Sequence, residues 1–250
     1  GLADIRVGIA TCKDSVYFIN GKTLKNGFYQ KEYNGKTYHI ENNIARPITK
    51  ISDFENQDDF GGNSRMIIFP YVIAGGVANI IAEENLKKKF PGCYEYLLAA
   101  RAELESRDKG KGEYPVWYAY ARTQGLNFTG KKLLTPTFSV RPRFIFDAKE
   151  EALFCNGYGI YERGGAQLAL SQNINLGILK KILNSKVIDY YITKTSFTIE
   201  GGYPCYQKNF IELFGIPNFT EKEFSYLERE NLQDRIDGFL IKKYELSLQS

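Results

Sequence analysis

The sequence predicts an α+β fold: an antiparallel or mixed sheet with hairpins in the N-terminal half, helices packed alongside, and a C-terminal helix. Three observations predict it. Short β-rich runs separated by turn residues occupy the chain up to Gly75-Gly76. Apolar residues then recur at helical spacing, first from Glu83 and again from Ile174. Strands largely precede helices rather than alternating with them, which argues against a parallel βαβ sheet.

Residues 5–11 read as a strand. Lys13-Asp14-Ser15 reads as a turn, and residues 16–20 as a return strand pairing antiparallel with 8–11. Residues 27–33 and 36–40 flank Asn34-Gly35, the strongest hairpin signal in the chain. Residues 44–51, interrupted by Arg46-Pro47, read as a connector or short strand, and residues 53–59 as an acidic loop. Residues 65–73 form a β-rich apolar run. A helix begins at Glu83, Pro91 breaks it, and a second carries Tyr94, Leu97, Leu98, Arg101 and Leu104. Residues 107–112 read as a charged loop, and residues 154–161 as a strand with close backbone approach at Gly157 and Gly159. Ile174, Ile178, Leu179, Ile182 and Leu183 mark a helix buried along one face. Asn184-Ser185 recaps a second helix through Val187, Ile188, Tyr191 and Ile192. Thr220 and Glu223 form a capping box for a last helix bearing Leu232, Ile236, Phe239, Leu240 and Tyr244.

With 250 residues and 43% apolar composition, the chain is read as a single domain over 1–250, with a candidate sub-boundary near 107–113. It has no apolar run long enough for a membrane span. Asp4 and Arg6 interrupt any signal-peptide core, and Gly1 in place of methionine suggests an excised fragment. Cys12, Cys93, Cys155 and Cys205 are scattered without a Cys-x-x-Cys pair, so they read as reduced cytoplasmic thiols.

Missing chemistry narrows the function. There is no phosphate-binding glycine loop, no nucleophile elbow and no nuclease carboxylate pattern. The single histidine, His39, has no partner at metal spacing and reads as structural. The paired acids Asp58-Asp59, Glu83-Glu84 and Glu150-Glu151 fall in loops or helix starts. No catalytic residue, metal or cofactor is therefore assigned to this chain.

The densest signal lies in residues 111–146. Six basic residues (Lys111, Arg122, Lys131, Lys132, Arg141, Arg143) face one acid, Glu113, and the only tryptophan, Trp117, sits in a run of aromatics. A basic segment with interleaved aromatics and amides is the composition of a nucleic-acid-reading surface. The alternative is a core strand pair with solvated flanks.

Several blocks, in order along the chain, carry a family resemblance. They are Gly-Ile-Ala-Thr at 8–11 with Asp-Ser-Val-Tyr-Phe-Ile at 14–19, then residues 94–98 with 104–108. Next come Trp-Tyr-Ala-Tyr-Ala-Arg-Thr-Gln-Gly-Leu at 117–126 and Lys-Lys-Leu-Leu-Thr-Pro at 131–136. Leu183-Asn184-Ser185 with Tyr190-Tyr191, Gly201-Gly202 with residues 206–208, and Gly-Ile-Pro at 215–217 complete the set. Together they resemble the target recognition (TaqI-like specificity) domain of type II restriction–modification DNA adenine methyltransferases. The family's catalytic module uses an Asn/Asp-Pro-Pro-Tyr/Phe motif, yet none of the eight prolines here precedes another. The resemblance therefore implies a recognition module, with the methyltransferase domain upstream in a parent enzyme that uses S-adenosylmethionine. It also implies double-stranded DNA as partner and a bacterial cytoplasmic setting; whether the parent carries or partners a nuclease is left open by these motifs. The competing class is a protein-interaction or structural α+β module with no nucleic-acid role.

Under that resemblance the DNA-contact candidates are Arg122, Gln124, Lys131, Lys132, Arg141, Arg143, Lys194, Thr195, Ser196 and Lys208. Arginine and lysine bind phosphates, while arginine and glutamine can read purine edges. Arg122 and Gln124 suit either DNA contact or a structural hydrogen bond. Adjacent Lys131 and Lys132 point to opposite faces if extended, and Arg141 and Arg143 to the same face. Trp117 reads as core, and Lys87-Lys88-Lys89 as a solvated helix face.

Overall fold

The structure is a computed structural model and describes residues 3–162 and 174–247. Its architecture is α+β. The chain opens with β1 (Ala3–Val7), a helical turn α1 (Asp14–Tyr17) and β2 (Phe18–Asn20). The hairpin β3 (Phe28–Tyr33) and β4 (Lys36–Glu41) turns at Asn34-Gly35, both at positive φ as the two-residue turn requires. Then follow β5 (Ala45–Lys50), a short α2 (Gln57–Phe60), β6 (Arg65–Ile68), and a second hairpin of β7 (Tyr71–Ala74) and β8 (Val77–Ile80). Three helices close the N-terminal half: α3 (Glu83–Lys89), α4 (Pro91–Ala99) and α5 (Arg101–Glu105).

The second half contributes β9 (Lys132–Pro136), β10 (Ile145–Asp147), β11 (Leu153–Cys155) and β12 (Gly157–Glu162). After the undescribed residues come α6 (Leu176–Leu183), α7 (Lys186–Thr195), and the small hairpin β13 (Thr198–Ile199) and β14 (Tyr203–Pro204). The chain ends with α8 (Lys208–Ile211), α9 (Glu221–Arg229) and α10 (Gln233–Lys243). No helix among the described residues is long and apolar enough to cross a membrane.

Two four-stranded sheets organise the fold. One is antiparallel with order β1-β12-β9-β10, and the other is mixed with order β11-β5-β6-β2. The chain passes between them where the backbones nearly touch. The Gly8 N–H donates to the Gly157 carbonyl at 3.0 Å, and Ile9 bridges Cys155 in parallel.

The antiparallel sheet buries Ile5, Leu133 and Ile160 against α6 and α7. Its other face packs Leu134 and Tyr161 on Ile51, Phe154 and Phe128. Ile178 and Ile182 are buried as their spacing predicts, at 2% and 0% exposure. Each such side chain contributes roughly 1.5–3 kcal/mol.

The N-terminal core is aromatic, built on Tyr17, Tyr96, Tyr118 and Tyr120. Burial pushes Tyr71 and Tyr118 up to about 12; the Tyr118 hydroxyl donates to the Ile81 carbonyl at 2.6 Å, and the Tyr71 hydroxyl accepts the Tyr120 N–H at 2.6 Å. Buried Arg107 donates to the carbonyls of Leu104 (2.7 Å), Thr11 (3.2 Å), Ala119 (2.6 Å) and Trp117 (2.8 Å). That single guanidinium fixes the run Trp117–Ala119 against α5 and α1. Trp117 is half-buried on this core, and Lys87, Lys88 and Lys89 lie exposed on α3.

Three local expectations need correction. Residues 8–11 do not pair with 16–20. Thr11 Oγ1 donates to Asp14 Oδ1 at 2.6 Å and accepts the Lys13 N–H at 3.1 Å, which starts a helical turn instead. β1 pairs with β12, and β2 with β6. The acidic loop holds α2, because Asn56 caps it by accepting the N–H groups of Asp58 and Asp59. The single last helix is two helices. Glu230 accepts the N–H groups of Asn231 and Leu232, both at 3.0 Å, and ends the run between α9 and α10.

Two side-chain amides line the outer edge of β10. Asn184 accepts the Phe144 N–H and donates to the Phe144 carbonyl, each at 2.9 Å. Gln57 accepts the Phe146 N–H at 2.8 Å and donates to its carbonyl at 2.9 Å.

Candidate nucleic-acid interface

β1 is an edge strand, and the chain after the aromatic core lies along it. The Arg122 N–H donates to the Ala10 carbonyl at 3.0 Å, and a turn from Thr123 to Leu126 follows. Gly125 sits at φ +89°, where an added Cβ would stand 3.1 Å from the Val7 carbonyl oxygen. Only glycine lets the loop lie this close in that conformation. Phe128 packs toward Tyr161, and the Arg6 guanidinium stands 4.8 Å from the Phe128 ring centre. Asn127 Nδ2 donates to the Gly76 carbonyl at 2.5 Å, joining the loop to the tip of the β7–β8 hairpin.

From the other side, α8 places Lys208 at its first residue. The result is a groove of about 380 Å³ lined by Arg6, Gln124, Asn127, Phe128, Tyr158 and Lys208, among others. Among the described residues, two cations, two amides and a phenol line it, and no carboxylate does. Burial raises the Tyr158 hydroxyl above its ordinary range, and a hydrogen bond with the Lys208 backbone opposes that shift. Both cations have exposed carboxylate neighbours, Arg6 with Asp4 at 3.4 Å and Lys208 with Glu212 at 3.8 Å, pairs that solvent screens.

The sequence-predicted residues divide into three groups. Gln124 and Lys208 come together in the groove, although far apart in sequence. Arg122, Lys131, Arg141, Lys194 and Thr195 are exposed, and Ser196 is half-buried. Thr195 Oγ1 donates to the Tyr191 carbonyl at 2.8 Å, and Lys194 stands 5.7 Å from the Tyr190 ring centre.

Lys132 and Arg143 are withdrawn from the surface. Lys132 is wholly buried, with Nζ 3.2 Å from Asp147 Oδ2 and 2.9 Å from the Lys149 carbonyl. Burial lowers its pKa, and the Asp147 charge opposes that shift. Arg143 is buried and donates to Glu55 Oε1 at 2.7 Å. Arg141 lies in a bend rather than a strand, exposed and 4.0 Å from the same Glu55. The two arginines do turn to one side, but toward a carboxylate. Lys131 and Lys132 do diverge, with Lys131 exposed.

Sequence reasoning missed Arg6 and Asn127. Arg6 alternates with Ile5 on a strand whose partner comes from the far half of the chain, and nothing local marks it. Asn127 follows Gly125-Leu126, so a turn asparagine next to Gln124 was the available signal.

The segment between α7 and α8 adds an apolar surface. Phe197, Ile199 and Tyr203 are exposed on the β13–β14 hairpin, whose tip is Gly201-Gly202 at positive φ. Phe138 and Phe210 pack on Phe197, and the Tyr206 N–H donates to the Thr137 carbonyl at 2.8 Å. These contacts hold the hairpin beside the end of β9.

No family model matches the chain. It is similar to the Type II restriction enzyme and methyltransferase RM.Eco57I of Escherichia coli, 24% identical over 204 residues. That alignment covers 76% of this chain and 20% of the relative. It is also similar to the Type II methyltransferase M.BstVI of Geobacillus stearothermophilus, 21% identical over 252 residues. Here 97% of this chain and 39% of the relative are covered. The chain thus spans well under half the length of these curated relatives, and at low identity it is related to type II restriction–modification methyltransferases.

Proposed function

We propose that this chain is the DNA sequence-recognition module of a type II restriction–modification methyltransferase specific for adenine. In this reading it holds target DNA for base flipping and methylation by a catalytic domain elsewhere in the parent protein. The parent acts in the bacterial cytoplasm and supplies the S-adenosylmethionine site. One observation carries the reading: the groove along β1 gathers Arg6, Gln124, Asn127 and Lys208 with no carboxylate in its lining. The relatedness to restriction–modification methyltransferases supports it.

The chemistry divides by residue type. Arg6 and Lys208 are suited to phosphates, whose neutralisation releases counterions and makes affinity salt-dependent. Gln124 and Asn127 can read a base edge, with a good bidentate pair giving ~1–3 kcal/mol of discrimination. Exposed Arg122, Lys131, Arg141 and Lys194 extend the basic surface. Lys132 and Arg143 serve the fold. Extruding a base costs a few kcal/mol, which these contacts must offset.

The test is fluorescence anisotropy of this chain on duplexes selected from a random pool, titrated at several salt concentrations. The reading expects a selected sequence to bind more tightly than its scramble, with a steep salt dependence. Lys208→Gln and Arg6→Gln should each reduce the salt slope by about one. Affinity equal for all duplexes and unmoved by both substitutions would sink it and favour a protein-interaction module.

A further inference from the structure

We propose that a second cavity, between the start of β5, the β7–β8 hairpin and α3, binds a nucleotide through its base and phosphate together. The cavity measures about 570 Å³, within the range of about 300–1,000 Å³ usual for small-ligand sites. Its walls are apolar and aromatic, including Phe69, Ile80 and Phe90. Its polar groups are the amides of Asn43, Asn79 and Asn85 and the cations of Arg46 and Lys89, with no carboxylate in the lining.

The charge is uncommitted. The Arg46 guanidinium stands over the Phe69 ring, 4.1 Å from its centre, and makes no ion pair among the described residues. Lys89 ends α3, while the acids of that helix, Glu83 and Glu84, lie in its first turn. Glu83 is engaged by the Tyr94 hydroxyl at 3.0 Å and Trp117 Nε1 at 3.3 Å, so it does not neutralise the cavity.

Each group has a counterpart on a nucleotide. A guanidinium held on an aromatic face presents a planar fork of donors to phosphate. The apolar walls accept the faces of a purine or pyrimidine, and base stacking tolerates any sequence. Amides carry donor and acceptor together, which matches a base edge. The same lining disfavours a cationic ligand, and S-adenosylmethionine carries a sulfonium charge. This site is separate from the groove along β1 and does not rest on the function proposed for it.

The nucleotide has two sources: free nucleoside phosphate, or a nucleotide displaced from a DNA strand. Calorimetry of this chain with ATP, adenosine, tripolyphosphate and S-adenosylmethionine tests the site. ATP should bind one per chain, with the other three at least about tenfold weaker. Arg46→Gln and the exposed Asn85→Ala should each weaken ATP about tenfold, and Lys222→Gln on α9 should leave it unchanged. Circular dichroism on each variant confirms the fold, and Asn85→Ala keeps the test open if Arg46→Gln unfolds. In a further arm, a duplex with one unpaired nucleotide is added to the ATP complex. Competition that Asn85→Ala abolishes assigns the source to DNA; no competition assigns it to free nucleotide. No ATP binding at about 1 mM overturns the proposal. So does tripolyphosphate binding as tightly as ATP, or affinity unchanged in both variants.

Discussion

Lys132 and Asp147 face each other across β9 and β10 at 3.2 Å, and neither side chain reaches solvent. Asp147 also accepts the Lys149 N–H at 2.9 Å, and Lys132 donates to the Lys149 carbonyl. The pair thus pins the turn that leads to β11. Removing one member of a buried pair strands the other charge. Lys132→Met is expected to cost about 3–5 kcal/mol in urea unfolding. Lys132→Met combined with Asp147→Leu should recover most of it. If the double variant is no better than the single, the pair is not what Lys132 contributes.

The groove separates two kinds of DNA contact. Lys208→Gln should weaken cognate and scrambled duplexes alike, whereas Gln124→Ala should cost ~1–3 kcal/mol on the cognate site only. Arg143→Gln, with its partner Glu55, should lower stability while leaving the salt slope at its wild-type value. Measuring all three variants against both duplexes at several salt concentrations distinguishes the roles. A reduced slope for Arg143→Gln would return that arginine to the DNA face.

The C-terminal helices carry a pH signature. Glu223 accepts from Lys243 Nζ and from the Thr220 N–H, and these hydrogen bonds hold its carboxyl below its ordinary pKa of 4.5. A carboxyl depressed in the fold contributes stability above its unfolded pKa. That contribution disappears as pH falls from 4.5 through the lower folded value. Glu223→Gln should therefore flatten the fall of Tm with acid in that window. Thr220→Ala, which removes the other half of the capping box, should cost about 0.5–2 kcal/mol at neutral pH. Identical acid profiles for wild type and Glu223→Gln would refute the linkage.

The crossing between the sheets tolerates no side chain. A Cβ on Gly157 would lie 2.1 Å from the Thr135 carbonyl oxygen, and one on Gly8 would lie 2.6 Å from that of Phe154. Gly157→Ala and Gly8→Ala are each expected to destabilise by about 3 kcal/mol or more. Gly215→Ala, with no atom within 4 Å of the added carbon, should be near neutral. Thermal melts of the three variants check the ranking.

Much of this fold was legible because its signals are local. Asn34-Gly35 demanded a hairpin, Thr220 with Glu223 demanded a helix start, and Ile178 and Ile182 had to share a buried face. The misreadings involve partners distant in sequence. Phe18 could not announce that it pairs with Ile67, so residues 16–20 were assigned to the nearest strand. Local sequence places Arg143 beside Arg141 on one face but does not show its burial, because the acid that takes it, Glu55, lies far upstream in a loop. Gln124 and Lys208 were each legible as polar groups near turns. Their convergence was not, because it depends on β1 crossing to β12.

The amides of Asn184 and Gln57 have a consequence for how the antiparallel sheet meets other chains. A strand at a sheet edge offers unpaired backbone groups to any passing strand, and that is a common route to polymerisation. At Phe146 on β10 and at Phe144 just before it, those groups are already occupied by side chains that cannot themselves propagate a ladder. Growth on that side is capped, as a chain terminator caps a polymer. At the opposite edge the loop through Gly125 runs close against β1, so the sheet's two edges are guarded by different means, one by side-chain amides and the other by passing backbone.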